Sequence, residues 1–335
     1  NEPLTTARFS GLYGHWYPHG RSPDVFAEAF LCQIEAITAA MREIRKNVAG
    51  ARLVQTEDLG KTYCSAGLEY QAEFENERRW MTFDALTGRL VPGHPIYRYL
   101  VSVGASPKRL QAIASQSDPL VLLGVNHYVT SERYLDLNVN KWPRSCAGSN
   151  GRDVYADVEA VRARPEGIGG PAMAIREAWE RYELPIAITE AHLGCTREEQ
   201  MRWLDECWRS AAEARENGID VRAVTVWSAF GSWNWCSLLT RDDRTFETGA
   251  YDLCGPHARP TGLAHLAREL ATEGRGSSPV LEAPGWWRRE DRIPRAHRTD
   301  CSLGRPLIVL VAQGTLGRAV LDACRARHIH AVGAG

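Results

Sequence analysis

Apolar residues recur at helical spacing through SPDVFAEAFLCQIEAITAAMREIRKNVAG, where Phe26, Phe30, Ile34, Ile37, Met41 and Ile44 share one face. Ser22 is placed to cap that helix, Pro23 suits its first turn, and Gly50 ends it. ARLVQTED then reads as a short strand. The run PLVLLGVNHYV, residues 119–129, is continuously apolar and turns polar at its C-terminal end. A helix is predicted across PAMAIREAWERYE, leading into the strand LPIAITEAHLG. A Thr-x-x-Glu capping pattern starting at Thr196 opens the next helix, TREEQMRWLDECWRSAAEARENG, which ends at Gly218. It gives way to DVRAVTVWSAFGSWNW, and a last short helix is predicted at 260–270.

Helices thus alternate with strands that are apolar on both faces, the signature of an α/β protein with a parallel sheet under helices. An open doubly wound sheet and a closed TIM barrel both satisfy that pattern. Polar residues collect at the C-terminal ends of the strands: Glu57 and Asp58, Asn126 and Tyr128, Glu190, then Trp227 with Asn234 and Trp235. In a barrel those ends converge on one mouth, which favours the barrel. Residues 271–304 are rich in Gly, Pro, Ser and charge and read as a linker despite Trp286 and Trp287. A new unit opens at Arg305 with the strand RPLIVLVA, followed by QGTLGRAVLDACRARHI as turn and helix. The expectation is a partial barrel at 1–270, the linker, and the first βα unit of a Rossmann-like domain at 305–335, with the chain truncated at both ends.

Forty basic and 41 acidic residues leave a formal charge of -1, so charge gives no argument for nucleic acid or an anionic membrane surface as partner. Hydrophobic residues at 44% and charged residues at 24% are the balance of a soluble globular protein. No apolar run approaches about 18 residues, and no signal peptide is recognisable. The nine cysteines are scattered, with no Cys-x-x-Cys pair, which fits free thiols in a reducing cytoplasm. Eleven Trp imply flat apolar surfaces, in the core or against a ligand.

Glu190 stands just past an apolar strand, where it either caps and pairs or does chemistry. A second carboxylate facing it decides between these. Two carboxyl groups ~5 Å apart allow one to attack a glycosidic carbon while the other protonates the leaving oxygen, whereas ~6.5–9.5 Å leaves room for an inverting water. Glu57, Asp58 and Glu2 are the candidates for that partner.

The stretches NEP (1–3), GVNHYVTS (124–131), ITEAHLG (188–194) and VWSAFGSWNW (226–235), in that order, resemble the second half of a family 1 glycoside hydrolase, a TIM barrel of retaining β-glycosidases. The resemblance covers roughly residues 1–270. It implies Glu2 as acid/base, Glu190 as nucleophile, and Tyr128 as the tyrosine that orients Glu190. It further implies Asn1 against the sugar 2-hydroxyl, Asn126 among the substrate-binding residues, and Trp227 and Trp235 as flat faces for the sugar ring. No metal or organic cofactor is implied for this part.

Four positions depart from the family pattern. Asn234 stands where a glutamate usually receives the sugar 4- and 6-hydroxyls, so a charged acceptor is lost there. Ala191 and His192 replace Asn-Gly after Glu190, and His127 replaces a common aromatic and reads as a packed loop histidine. Strands one to four of such a barrel would precede Asn1, and a half-barrel by itself is expected to be inactive.

VAQGTLG (311–317), between a strand and a helix, resembles the opening of a dTDP-4-dehydrorhamnose reductase or a related extended short-chain reductase. That resemblance implies an NAD or NADP phosphate site at Gly314 and Gly317, with Val311 in place of the usual first glycine. The combined expectation is a bifunctional carbohydrate-processing protein. Its rivals are a nucleotide-sugar reductase as the main activity and a barrel serving as a non-catalytic carbohydrate-binding module.

Overall fold

Pro3 at its first position starts a one-turn helix, α1 (Pro3–Ala7), which widens into a π-helical turn at Arg8–Leu12. The computed structural model describes residues 1–116, 120–293, 307–310, 312–326 and 329–334. They fall into two units, 1–293 and 294–335. Helix α2 (Pro23–Asn47) has Ser22 in extended conformation at its N-cap and buries Phe26, Phe30, Ile34 and Met41. Ile44, from the same sequence stripe, stays 45% exposed because the helix outruns its partners.

Strand β1 (Leu53–Asp58) is followed by a short strand β2 (Thr62–Cys64) and four helices, α3 (Glu69–Arg78), α4 (Met81–Leu86), α5 (Pro95–Ser102) and α6 (Pro107–Ser115). Next come β3 (Leu120–Asn126), the excursion β4 (Arg133–Asp136), β5 (Ala147–Ser149) and β6 (Val154–Glu159), and the helices α7 (Ala160–Ala163) and α8 (Gly170–Tyr182). Strand β7 (Ile186–Ala191), helix α9 (Arg197–Glu216) and strand β8 (Val221–Val226) complete the repeating part. Two small hairpins, β9 (Ser232–Trp233) with β10 (Phe246–Glu247) and β11 (Tyr251–Asp252) with β12 (Arg259–Pro260), precede α10 (Gly262–Glu273).

The main sheet is parallel throughout, in the order β1-β3-β7-β8. Its register aligns the chemistry: Asp58 lies beside Asn126, Asn126 beside Glu190, and Ala191 beside Val226. Parallel strands force all four C-terminal ends to one side, so residues far apart in sequence share one rim. A second sheet, β2-β4-β6-β5, is built from the excursions that follow β1 and β3. Helices α2, α4, α8, α9 and α10 contribute much of the buried apolar core.

The stretch read as a linker is corrected in its first part. Residues 271–293 belong to the first unit, since α10 runs to Glu273 and three short 3-10 turns follow between Pro279 and Arg292. Trp287 is 1% exposed, packs edge-on against Trp203 of α9 at 5.2 Å, and donates its indole N–H to Glu206 at 2.7 Å. Burying one such indole outweighs the polar composition around it. The rest of that stretch, 294–304, lies outside the described residues. In the second unit, β13 (Leu307–Leu310) and β14 (Ala331–Ala334) pair in parallel, joined through α11 (Thr315–Ala326).

Candidate active site

Residues 1–5 lie alongside the end of β1 and are anchored there by a buried carboxylate. The Glu2 amide donates to the Thr56 carbonyl at 3.2 Å. Glu57, fully buried, accepts from the Leu4 amide at 3.0 Å, the Thr5 hydroxyl at 3.2 Å and the Thr82 hydroxyl at 2.6 Å. Burial pushes the Glu57 carboxyl up to about 7, although those donors pull the other way. Glu57, a sequence candidate for the second carboxylate, is therefore turned away from the rim and fixes the segment that carries Glu2.

Glu2 has φ 45° and ψ 62°, the left-handed region that a non-glycine residue adopts rarely and mostly where surrounding structure enforces it. Asn126, fully buried at the end of β3, is the hub of the site. Its amide nitrogen donates to Glu2 Oε1 at 2.7 Å and to Asn1 Oδ1 at 3.1 Å. Its amide oxygen accepts from the Thr189 hydroxyl at 2.6 Å, and Thr56 donates to Asn1 Oδ1 at 2.5 Å. Burial above all, then Asp58 and Glu57, and further Glu190, push the Glu2 carboxyl up to about 8 against the Asn126 hydrogen bond. A carboxyl group so placed holds its proton at neutral pH and can act as an acid.

Glu190, one residue before the end of β7, receives a hydrogen bond from the Tyr128 hydroxyl. Burial and the Glu190 carboxylate raise the Tyr128 phenol well above its usual range, so it stays a donor. The loop that carries Asn126 and Tyr128 is pinned beneath by Glu132. That side chain is fully buried, accepts from the Gly169 and Gly170 amides at 3.0 and 2.6 Å, and lies 3.5 Å from His127 Nε2. Burial alone would raise the Glu132 carboxyl, but His127 and the two amides hold it down to about 2. His127, 1% exposed, is thus the packed loop histidine of the sequence reading.

A chain of aromatic rings starts beside the end of β7. Trp227, next after β8, lies edge-on to His192 at 4.7 Å and 6.1 Å from Trp235, which is 6.4 Å from Trp16. Trp16 in turn meets Phe9 at 5.1 Å, and its indole N–H donates to the Leu238 carbonyl at 2.7 Å. These rings therefore run from the Glu190 side round to the segment after Glu2. Asn234 engages its own loop, donating to Asp242 at 2.9 Å and accepting from the Thr245 amide at 3.3 Å.

The structure places two hydrogen-bonded groups side by side, Asn1, Glu2 and Asn126 in one and Tyr128 with Glu190 in the other, since Asn126 and Glu190 are in register; Trp227 follows next to Ala191 and packs near Trp235. Gly314 and Gly317 lie in the separate second unit, Gly314 just before α11 and Gly317 within its first turn. Sequence reasoning missed Thr56, Thr189, Trp16 and Glu132. The aromatic-rich loop GHWYPHG around Trp16 was the available signal; the two threonines and Glu132 carried none. Among the described residues no group of three or more His, Cys, Asp or Glu could hold a metal, and no helix is long and apolar enough to cross a membrane.

No protein-family model matches this chain, and no curated protein matches it either. Solved structures do. A β-glucosidase from Thermotoga maritima in complex with deoxynojirimycin is similar with a TM-score of 0.62 at 14% identity, and the same enzyme with azafagomine gives 0.64, also at 14%. A structure described as a family 1 β-glucosidase from Thermotoga maritima gives 0.62 at 14%. Each match covers 83% of this chain and 63% of the other, so the chain spans less than two thirds of the proteins it is similar to. At that identity the likeness establishes a glycosidase-like α/β fold.

Proposed function

We propose that the first unit carries the two catalytic carboxylates of a retaining β-glycosidase. Glu190 attacks the anomeric carbon, the C–O bond to the aglycone breaks, and Glu2 gives its proton to the departing oxygen. Glu2 then takes a proton from water, which attacks the glycosyl-enzyme and restores Glu190. Tyr128 holds Glu190 in line, and Asn126 holds Glu2 and Asn1. Trp227 and Trp235 offer apolar faces to the sugar ring. The observation that carries this reading is the link through Asn126: one side chain bonds a carboxyl raised to about 8 and stands in register beside a carboxylate fixed by a tyrosine. The family 1 likeness and the sugar-like inhibitors named for its neighbours support the ligand class.

The second unit is proposed as the opening βαβ of an NAD(P)-binding reductase. Its support is a parallel strand pair bridged by a helix whose first turn holds Gly317, with Gly314 immediately before it. The glycosidase reading is tested by following an aryl β-glycoside and the intact protein by proton NMR. The first-formed free sugar is expected as the β-anomer. Release of the α-anomer would mean inversion and remove Glu190 as a nucleophile.

A further inference from the structure

Glu247 is a carboxylate that the reaction does not use, yet His192 links it to Trp227. Strand β10 brings it there, paired with β9 so that Glu247 lies opposite Ser232. His192 Nε2 is 2.9 Å from Glu247 Oε2, and His192 is itself only 5% exposed and packed edge-on to Trp227. With the imidazole proton on Nε2, one carboxylate oxygen is tethered. The other, Oε1, accepts no hydrogen bond among the described residues, and the side chain keeps 16% of its surface open.

Two further atoms of this cluster lack partners: His192 Nδ1 and the Ser232 hydroxyl, both buried. Buried polar atoms without partners are costly and point to a group that completes them. The loop is fixed from several sides, by Gln200 to the Thr248 carbonyl at 2.9 Å, Arg197 to the Gly249 carbonyl at 2.7 Å, and the Asn234 amide to the Thr245 carbonyl at 2.8 Å. A Cβ on Gly194 would come within 2.9 Å of Glu247 Oε2, so the absent side chain keeps the carboxylate in place. An indole joined through His192 to a tethered, partly exposed carboxylate suits a pyranose: apolar ring face on the indole, hydroxyl donors to the free oxygen.

We infer that Glu247, oriented by His192, is the charged hydroxyl acceptor of the sugar site, and that it selects neutral glycosides over anionic ones. This rests on the glycosidase reading for the ligand class. Asn234, whose amide is engaged in its own loop, does not fill that role. Glu247 repels a carboxylate or phosphate on the sugar and accepts from a hydroxyl.

The test is equilibrium titration of the intact protein with methyl β-glucoside and with methyl β-glucuronide, read by tryptophan fluorescence. Glu247→Ala is expected to weaken glucoside binding roughly 10–100-fold, the range for a hydrogen bond to a charged group. Glu247→Gln keeps an acceptor for His192 and therefore the loop. It is expected to lose less affinity but to narrow the preference for glucoside over glucuronide, a change that a purely structural carboxylate would not produce. Wild-type glucoside binding with unchanged affinity and preference in both variants would overturn this inference and leave the glycosidase reading standing. Absence of glucoside binding by the wild type would overturn both.

Discussion

Replacing Glu190 by Gln in the intact protein is expected to lower turnover of aryl β-glycosides by about 10⁴-fold or more, the scale on which enzymes lose rate when a nucleophile is removed. An amide has no charge with which to displace the aglycone, while its oxygen still accepts from Tyr128, so the site keeps its shape. The loss is thus chemical rather than structural, and unchanged thermal unfolding of the variant would confirm that. Glu190→Gly with added azide separates the roles further. The small anion is expected to restore turnover and leave an α-glycosyl azide, because it enters from the face the carboxylate vacated. A Glu190→Gln variant retaining a tenth or more of the rate would assign the nucleophile elsewhere.

Glu2→Ala is the second large effect. Loss of a positioned acid lowers turnover by about 10²–10⁴-fold for an alkyl glycoside, whose leaving oxygen needs the proton. A dinitrophenyl glycoside, which leaves without help, is expected to form the glycosyl-enzyme almost as fast as in the wild type. The pH profile carries the same assignment. Glu2 is raised from the ordinary carboxyl range to about 8, so its proton is present below that pH and lost above it. The wild-type kcat/KM is therefore expected to fall as pH rises through about 8, and that basic limb to disappear in Glu2→Ala. If Glu190 is esterified by the sugar as proposed, one of the charges that raise Glu2 would be gone, which would ease the same residue towards acting as base.

The alternation of apolar runs made the main sheet legible, because strands buried on both faces leave a signal that survives without an alignment. All four parallel strands and helices α2, α8, α9 and α10 lie where the pattern places them. The stretch from 65 to 116 left no such trace. Helix α3 is polar along nearly its whole length and buries only Ala72 and Arg78, whereas α4 is buried at every position and has no amphipathic period. The Ser106–Pro107 start of α6, where the Ser106 hydroxyl accepts from the Arg109 amide at 3.1 Å, was a readable cap that went unused. The side sheet was hidden because its strands are short excursions whose pairing is set by tertiary contact.

Within the site, residues carried by short motifs were legible, and those chosen by geometry were not. Asn126, Tyr128 and Glu190 stand at strand ends in the sequence, and Glu2 is pointed to by the NEP motif of the resemblance. Thr56 and Thr189 are common strand residues whose hydroxyls matter only once β1, β3 and β7 lie side by side. Glu57 and Asp58 could not be told apart in sequence. Alternation along β1 turns Glu57 into the interior beneath α1, where it became an anchor. Asn234, which its motif position points towards the sugar, is hydrogen-bonded within its own loop to Asp242 and the Thr245 amide, partners that the sequence does not reveal. The linker reading failed for a related reason: composition averages over a stretch, and one buried tryptophan decides where the chain goes.

The pairing of Glu2 with Glu190 across Asn126 is tested most directly by covalent trapping. The intact protein is incubated with a 2-deoxy-2-fluoro-β-glucoside carrying a good leaving group, then digested and mapped by mass spectrometry. The expected result is one fluoroglucosyl group on the peptide that holds Glu190, absent in Glu190→Gln and formed almost as fast in Glu2→Ala, because the good leaving group needs no acid. A label on another carboxylate, or saturable binding with no covalent adduct, would contradict it and leave a carbohydrate-binding module in place of a glycosidase.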